Sequence, residues 1–220
     1  MAISDASWSS SFRKIGDLER LDHSHLTQAD NCFFLGEYTS RGGYSHSQTN
    51  QLILNLKKSP LTRGTAQWRH KEQAIADIAR VMKAGIKPEF IQRCTFVPIP
   101  TSKSADHAEY DDRLIQIARL IAPGGDIREL LYTIATRNAL HVDGGRRDPV
   151  ALRQSLAIRQ TALDPPPQHI VLLDDVITTG CSFRVCSDLL REQLAGIDII
   201  GLFVARRIIP SVAEDFDTLD

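Results

Sequence analysis

The sequence predicts an α/β fold, a parallel sheet flanked by helices, and three observations carry that prediction. His169 to Leu173 and Ile197 to Val204 are continuous apolar runs, the pattern of strands buried on both faces. Between them, Phe183 to Leu194 stacks Val185 on Leu189 and Cys186 on Leu190 at helical spacing, and Gly196 closes it. Strand, helix and strand in that order make a right-handed βαβ unit, and a parallel sheet follows. With 220 residues, 42% of them hydrophobic, the chain is long enough for one sizeable core.

Residues 1 to 31 are polar, Ser-rich and weakly patterned, and are expected as an extended or partly mobile arm outside the core. Within it His23 and His25 stand two apart with no third ligand nearby, which disfavours a metal site. Cys32 to Leu35 reads as a short strand, and Tyr38 to Tyr44 carries a Gly42-Gly43 turn. Ser47 can cap a helix through Leu52, Ile53 and Leu56 that ends in Lys57 and Lys58, cations suited to the negative helix end. A helix from Lys71 to Ala84 places Ile75, Ile78 and Met82 on one face, with Gly85 as its stop.

Thr95 to Pro100 is apolar and holds Pro98 and Pro100, so it reads as a strand leaving the sheet into a loop from Thr101 to Asp106. Tyr110, Leu114, Ile117 and Ile121 then recur at helical spacing up to the Pro123-Gly124-Gly125 turn. Residues 127 to 135 are open between helix and strand; the alternation of Ile127, Glu129 and Leu131 favours strand. Arg137 to Arg147 lacks periodicity and is expected as a long loop with Arg146 and Arg147 at its tip. A short helix from Pro149 to Gln160 follows, and Asp164 to Pro167 forms a stiff connector to the strand at His169.

Charge and cysteines exclude several classes. The 26 basic and 27 acidic side chains nearly cancel, so nothing marks a nucleic-acid or anionic-membrane binder. Cys32, Cys94, Cys181 and Cys186 form no CxxC pair, which argues against a zinc ribbon or a disulfide framework. Without a signal-peptide core or an apolar run of membrane-span length, a cytoplasmic protein is expected.

The segment that carries chemistry is Val171 to Ser182, VLLDDVITTGCS. A strand ending in Asp174 and Asp175 offers acceptors suited to sugar hydroxyls. The backbone N–H groups of Thr178 to Ser182 at the following helix start offer donors suited to a phosphate. Gly180 removes the Cβ that would obstruct close approach, and the hydroxyls of Thr178, Thr179 and Ser182 can add hydrogen bonds. The bland alternative is a Ser/Thr-capped helix after a buried strand, but two adjacent carboxylates repel and call for a ligand or a cation. A P-loop is excluded, since no Gly-Lys-Ser/Thr follows. A two-component receiver domain is set aside too, because only 45 residues follow Asp175.

LLDDVITTGCS resembles the signature of the type I phosphoribosyltransferases, which bind 5-phosphoribosyl 1-pyrophosphate (PRPP) with Mg²⁺ on a parallel sheet. The resemblance implies that Asp174 and Asp175 hold the ribose hydroxyls, and that Thr178, Thr179, Gly180, Cys181 and Ser182 hold the 5-phosphate. A broader likeness reaches the ComF-like branch, through Tyr38 to Tyr44, Leu52 to Lys58, Val97 to Pro100 and the signature, in that order. The chain lacks that branch's N-terminal four-cysteine zinc module. It also has Glu109-Tyr110-Asp111-Asp112-Arg113 where the branch carries Arg-Gly-Phe-Asn.

By this likeness residues 32 to 90 are expected to be a small N-terminal hood with helices, and 91 to 209 the PRPP-binding core. Thr101, Ser102 and Lys103 stand where pyrophosphate would bind, the alternative being a solvated loop. Arg146 and Arg147 would join Asp174 and Asp175 as catalytic groups by closing over the site, or else form a solvated tip. Arg137 and His141 share that loop. The chemistry implied is transfer of phosphoribosyl from PRPP to a nitrogen base with Mg²⁺, as a glycosyltransferase of nucleotide metabolism. The alternative is a PRPP-sensing or protein-interaction module that does not catalyse. The acceptor base is unassigned, and a homodimer or protein partner stays open.

Overall fold

The computed structural model describes residues 7–134 and 148–209. Its main sheet is built from β1 (Trp8–Lys14), β2 (Asn31–Thr39), β3 (Cys94–Pro98), β4 (Asp126–Ile127), β7 (His169–Ile177) and β8 (Asp198–Ile208), in the order β1-β2-β8-β7-β3-β4. Every pairing is parallel except β1 with β2, so one antiparallel edge strand closes an otherwise parallel sheet. Two short strands, β5 (Leu131–Thr133) and β6 (Leu156–Ile158), pair antiparallel as a separate ribbon.

Helices cover both faces, as the unbroken apolar runs of the inner strands require. Against one face lie α2 (Gln48–Leu56), α3 (Trp68–Ala84) and α5 (Arg113–Ile121), whose Ile53, Ile78 and Ile117 share a core with Val171, Leu173 and Leu202. Against the other lie α6 (Pro149–Gln154), α7 (Cys181–Gln193) and the β5–β6 ribbon, with Leu152, Phe183 and Leu190 meeting Ile170, Leu172 and Phe203. Two further helices, α1 (Asp17–Arg20) and α4 (Pro88–Arg93), are short connectors. Parallel pairing of β7 with β8 around α7 matches the βαβ unit expected from the sequence.

Local chemistry explains the element ends that matter here. Ser47 accepts the Asn50 N–H at the start of α2, the cap expected of it. Asn50 itself grips the end of β2: its Oδ1 accepts from Thr39 N at 3.0 Å and its Nδ2 donates to Thr39 O at 2.9 Å.

Several expectations need correction. Residues 8 to 31 are no free arm: β1 pairs with β2, and Ile15, His23 and Leu26 are buried. The misreading arises because an edge strand such as WSSSFRK is half exposed and carries few apolar residues. Nor do residues 32 to 90 stand apart as an N-terminal hood, since β2 belongs to the main sheet and α2 and α3 cover one face of it. The strand expected at 127 to 135 divides into β4 and β5, in different sheets. The helix expected at 149 to 160 stops at Gln154, where β6 takes over. Finally, β7 does not end at its acidic pair but continues to Ile177, held by pairing of Asp174 with Phe203 and Val176 with Ala205.

Candidate functional site

Parallel strands deliver their loops to one edge of a sheet. Because β3 lies beside β7, with Ile99 N donating to Leu173 O at 2.9 Å, the loop at Thr101 and the loop at Thr178 leave from the same C-terminal edge. In open α/β sheets that edge is where ligands bind.

At the second loop, Thr178 and Thr179 lead to Gly180, which is the N-cap of α7 at φ 81°. This left-handed conformation is strained for any residue with a Cβ, and a Cβ there would also lie 2.8 Å from the Leu26 side chain. Glycine is thus required on both counts. Cys181 N donates to Thr179 Oγ1 at 3.4 Å, while the Cys181 side chain is buried in the core, so only its backbone belongs to the helix start. Asp174, Thr178, Gly180 and Ser182 line one recess of about 10 Å³ with Phe183 and Phe203, room for roughly one water-sized group. Thr178 Oγ1 is buried without a hydrogen-bond partner among the described residues. The helix axis behind this recess adds a favourable field for an anion.

The acidic pair separates across the sheet. Asp174 faces the α7 side and lines the recess. Asp175 faces α2 and α5, where Lys57 Nζ meets its Oδ1 at 3.1 Å and Arg113 binds its Oδ2 through Nη2 at 2.5 Å and Nε at 3.1 Å. Burial opposes ionisation of Asp175, but Lys57 and Arg113 outweigh it and hold the carboxyl well below the usual range. For Asp174, burial and the neighbouring Asp175 charge act together and push the carboxyl up to about 7. Two adjacent carboxylates therefore have opposite electrostatic characters.

The pair on Asp175 is one end of a buried ionic chain. Arg113 Nη1 also binds Asp111 at 2.8 Å, and Asp111 binds Lys71 Nζ at 2.6 Å. Lys71 is fully buried and completes its shell on the carbonyls of Leu56 and Lys58 at 2.7 and 2.9 Å. The chain ties the end of α2 and the start of α3 to the start of α5 and the end of β7. None of Lys57, Lys71, Asp111 or Arg113 was singled out as a site residue from the sequence. A signal existed for Lys71, which stands in phase with Ile75, Ile78 and Met82 on the buried face of α3. Lys57 and Arg113 had none, because their partner is remote in sequence.

At the first loop, a recess of about 60 Å³ is lined by Thr101, Lys103, Tyr110, Glu129, Tyr132 and Arg159, among others. Thr101 O accepts from Thr133 Oγ1 at 2.6 Å, which fastens the loop to β5, and Lys103 Nζ lies 3.5 Å from Glu109. Ser102, half-buried, sits between them. The two recesses share the sheet edge but no lining residue. Arg146 and Arg147, with Arg137 and His141, lie outside the described residues.

No three His, Cys, Asp or Glu side chains converge to hold a metal among the described residues. Such an arrangement would leave a Mg²⁺ to be carried by a phosphorylated substrate's own oxygens and waters rather than by a protein cage. Among the described residues no helix is long and apolar enough to cross a membrane. Neither the protein-family models nor the curated proteins compared with the chain provide a match.

Proposed function

We propose that this sheet edge binds PRPP and that the protein transfers its phosphoribosyl group to a nitrogen base, releasing pyrophosphate. The observation that carries this reading is the junction of β7 and α7, where Asp174, Thr178, Gly180 and Ser182 meet in one recess at the start of a 13-residue helix. A carboxylate for ribose hydroxyls and helix-start donors for a phosphate are the two halves that ribose 5-phosphate requires. The 5-phosphate would lie over Thr178 to Ser182, with the orphaned Thr178 hydroxyl as an added donor. Thr101 and Lys103, across the adjacent recess, would receive the pyrophosphate.

In the reaction the C1–O bond to pyrophosphate breaks, positive charge develops on the ribose, and a nitrogen lone pair forms the new C1–N bond. Mg²⁺ bound with PRPP would offset charge on the departing pyrophosphate. The chain's own contribution is placement: Asp174 orients the ribose and Lys103 meets the leaving group, while the ion pairs on Asp175 hold the end of β7 in register. A second reading, a PRPP sensor without catalysis, draws on the orientation of Asp175, which leaves one carboxylate rather than two for the ribose.

Calorimetric titration with PRPP and Mg²⁺, beside pyrophosphate release across a panel of bases, tests both readings. Binding that Asp174→Asn weakens at least about tenfold, with turnover on one base, is the expected result. Binding without turnover on any base favours the sensor. Absence of PRPP binding, or an unchanged affinity in Asp174→Asn, sinks both.

A further inference from the structure

We infer that the strap between β1 and β2, through His23, is the positioning element of the phosphate loop, holding its carbonyls from behind so that its amide donors face the ligand. This rests on the reading of Thr178 to Ser182 as a phosphate loop. The observation behind it is a set of contacts made from residues about 155 positions away in sequence. His23 Nδ1 is hydrogen-bonded to Thr178 O, and since a carbonyl only accepts, Nδ1 carries the proton and donates. His25 N donates to Thr179 O at 2.9 Å, and Leu26 packs on Gly180 at the site a Cβ would occupy. Consecutive peptides of the loop are thereby gripped on their carbonyl sides. A peptide whose C=O is fixed has its N–H direction fixed as well, because the unit is planar.

The strap is itself anchored at both ends. Arg184, in the first turn of α7, donates from Nε to His25 O at 3.3 Å and from Nη2 to Thr27 Oγ1 at 3.2 Å, and pairs with buried Asp30. Asp30 in turn accepts from Thr27 N at 2.7 Å. On the other side Asp22 meets Arg206 of β8 at 3.3 Å. His23 is fully buried, and its Nε2 has no partner among the described residues, so the ring's one protein hydrogen bond is spent on the loop. Desolvation lowers the basicity of the ring, in keeping with a neutral Nδ1–H tautomer. A buried imidazole has to place its ring N–H on an acceptor, and here that acceptor is the loop carbonyl.

The test uses the full chain with His23→Asn, which keeps a donor near the Nδ1 position, and His23→Leu, which removes it. Arg184→Met cuts the strap's tether without touching the ring. Affinity for inorganic phosphate and for PRPP, and amide exchange of the segment 174 to 184, are read for each beside the unfolding midpoint. His23→Leu is expected to lose about tenfold in both affinities and to exchange faster in that segment. His23→Asn should stay within about threefold of wild type, and Arg184→Met should move with His23→Leu. Wild-type affinity and exchange in His23→Leu, or equal losses in the Asn and Leu variants, would overturn the inference. If His23→Leu does not fold, Arg184→Met decides by the same readouts. Should the wild type bind neither PRPP nor phosphate, the functional reading falls, while segment exchange still judges the strap.

Discussion

Asp174 and Asp175 show how far one position along a strand can alter a side chain's chemistry. Alternation sends them to opposite faces, one toward the loop and the start of α7 and the other toward Lys57 and Arg113. Asp175, held ionised, contributes stability that is present above the ordinary carboxylate pKa and is lost as pH falls through it toward its depressed value. Asp175→Asn is expected to cost about 3 kcal/mol at neutral pH, the low end for a broken buried pair, since the largely buried Arg113 keeps Asp111 and Lys57 reaches solvent. Its acid limb should also be flatter than wild type in thermal melts from pH 3 to 8. Asp174 has the opposite sign. Its raised pKa means that stability declines as pH rises from the ordinary carboxylate range toward about 7. Asp174→Asn should therefore melt higher than wild type at pH 8 while binding PRPP less well, the signature of a residue kept for a ligand rather than for the fold.

At the scale of elements, the junction of β7 and α7 depends on Gly180 more than on any hydroxyl near it. Its positive φ lets a strand become a helix within Thr178, Thr179 and Gly180, and its missing Cβ admits Leu26. Gly180→Ala is expected to cost roughly 1–2 kcal/mol from backbone strain alone and more from the displaced strap, measurable by urea unfolding. A signature of Thr-Thr-Gly-x-Ser made this glycine legible in the sequence, and Ser47 was equally legible as a cap, because both obey local rules. The end of β7 was not. Acidic residues ordinarily mark a strand's exit, and only pairing with β8 and the cations on Asp175 carry the strand past them to Ile177.

Across the whole molecule, strands β8, β7 and β3 form a centre covered on both faces, while β1, the strap and the β5–β6 ribbon lie at the periphery. Amides of β7 and β8 are accordingly expected to exchange with solvent only on global unfolding, and those of β5 and β6 well before, as hydrogen-exchange mass spectrometry would read. The two recesses open on the edge between these regions. Saturating PRPP should slow exchange in the loops at 101 to 105 and 178 to 182 without altering the order among the strands.

The sequence by itself determined the parallel βαβ unit, the α2 cap and the Gly-containing turn into α7, because each follows from a pattern inside one element or from the fixed hand of consecutive ones. Only the tertiary structure decided that the N-terminal strap backs that loop, that Asp175 serves Lys57 and Arg113, and that Lys71 is buried on Asp111. Those contacts join segments 40 to 155 positions apart. No propensity or periodicity encodes such a pairing; packing around the shared sheet edge does.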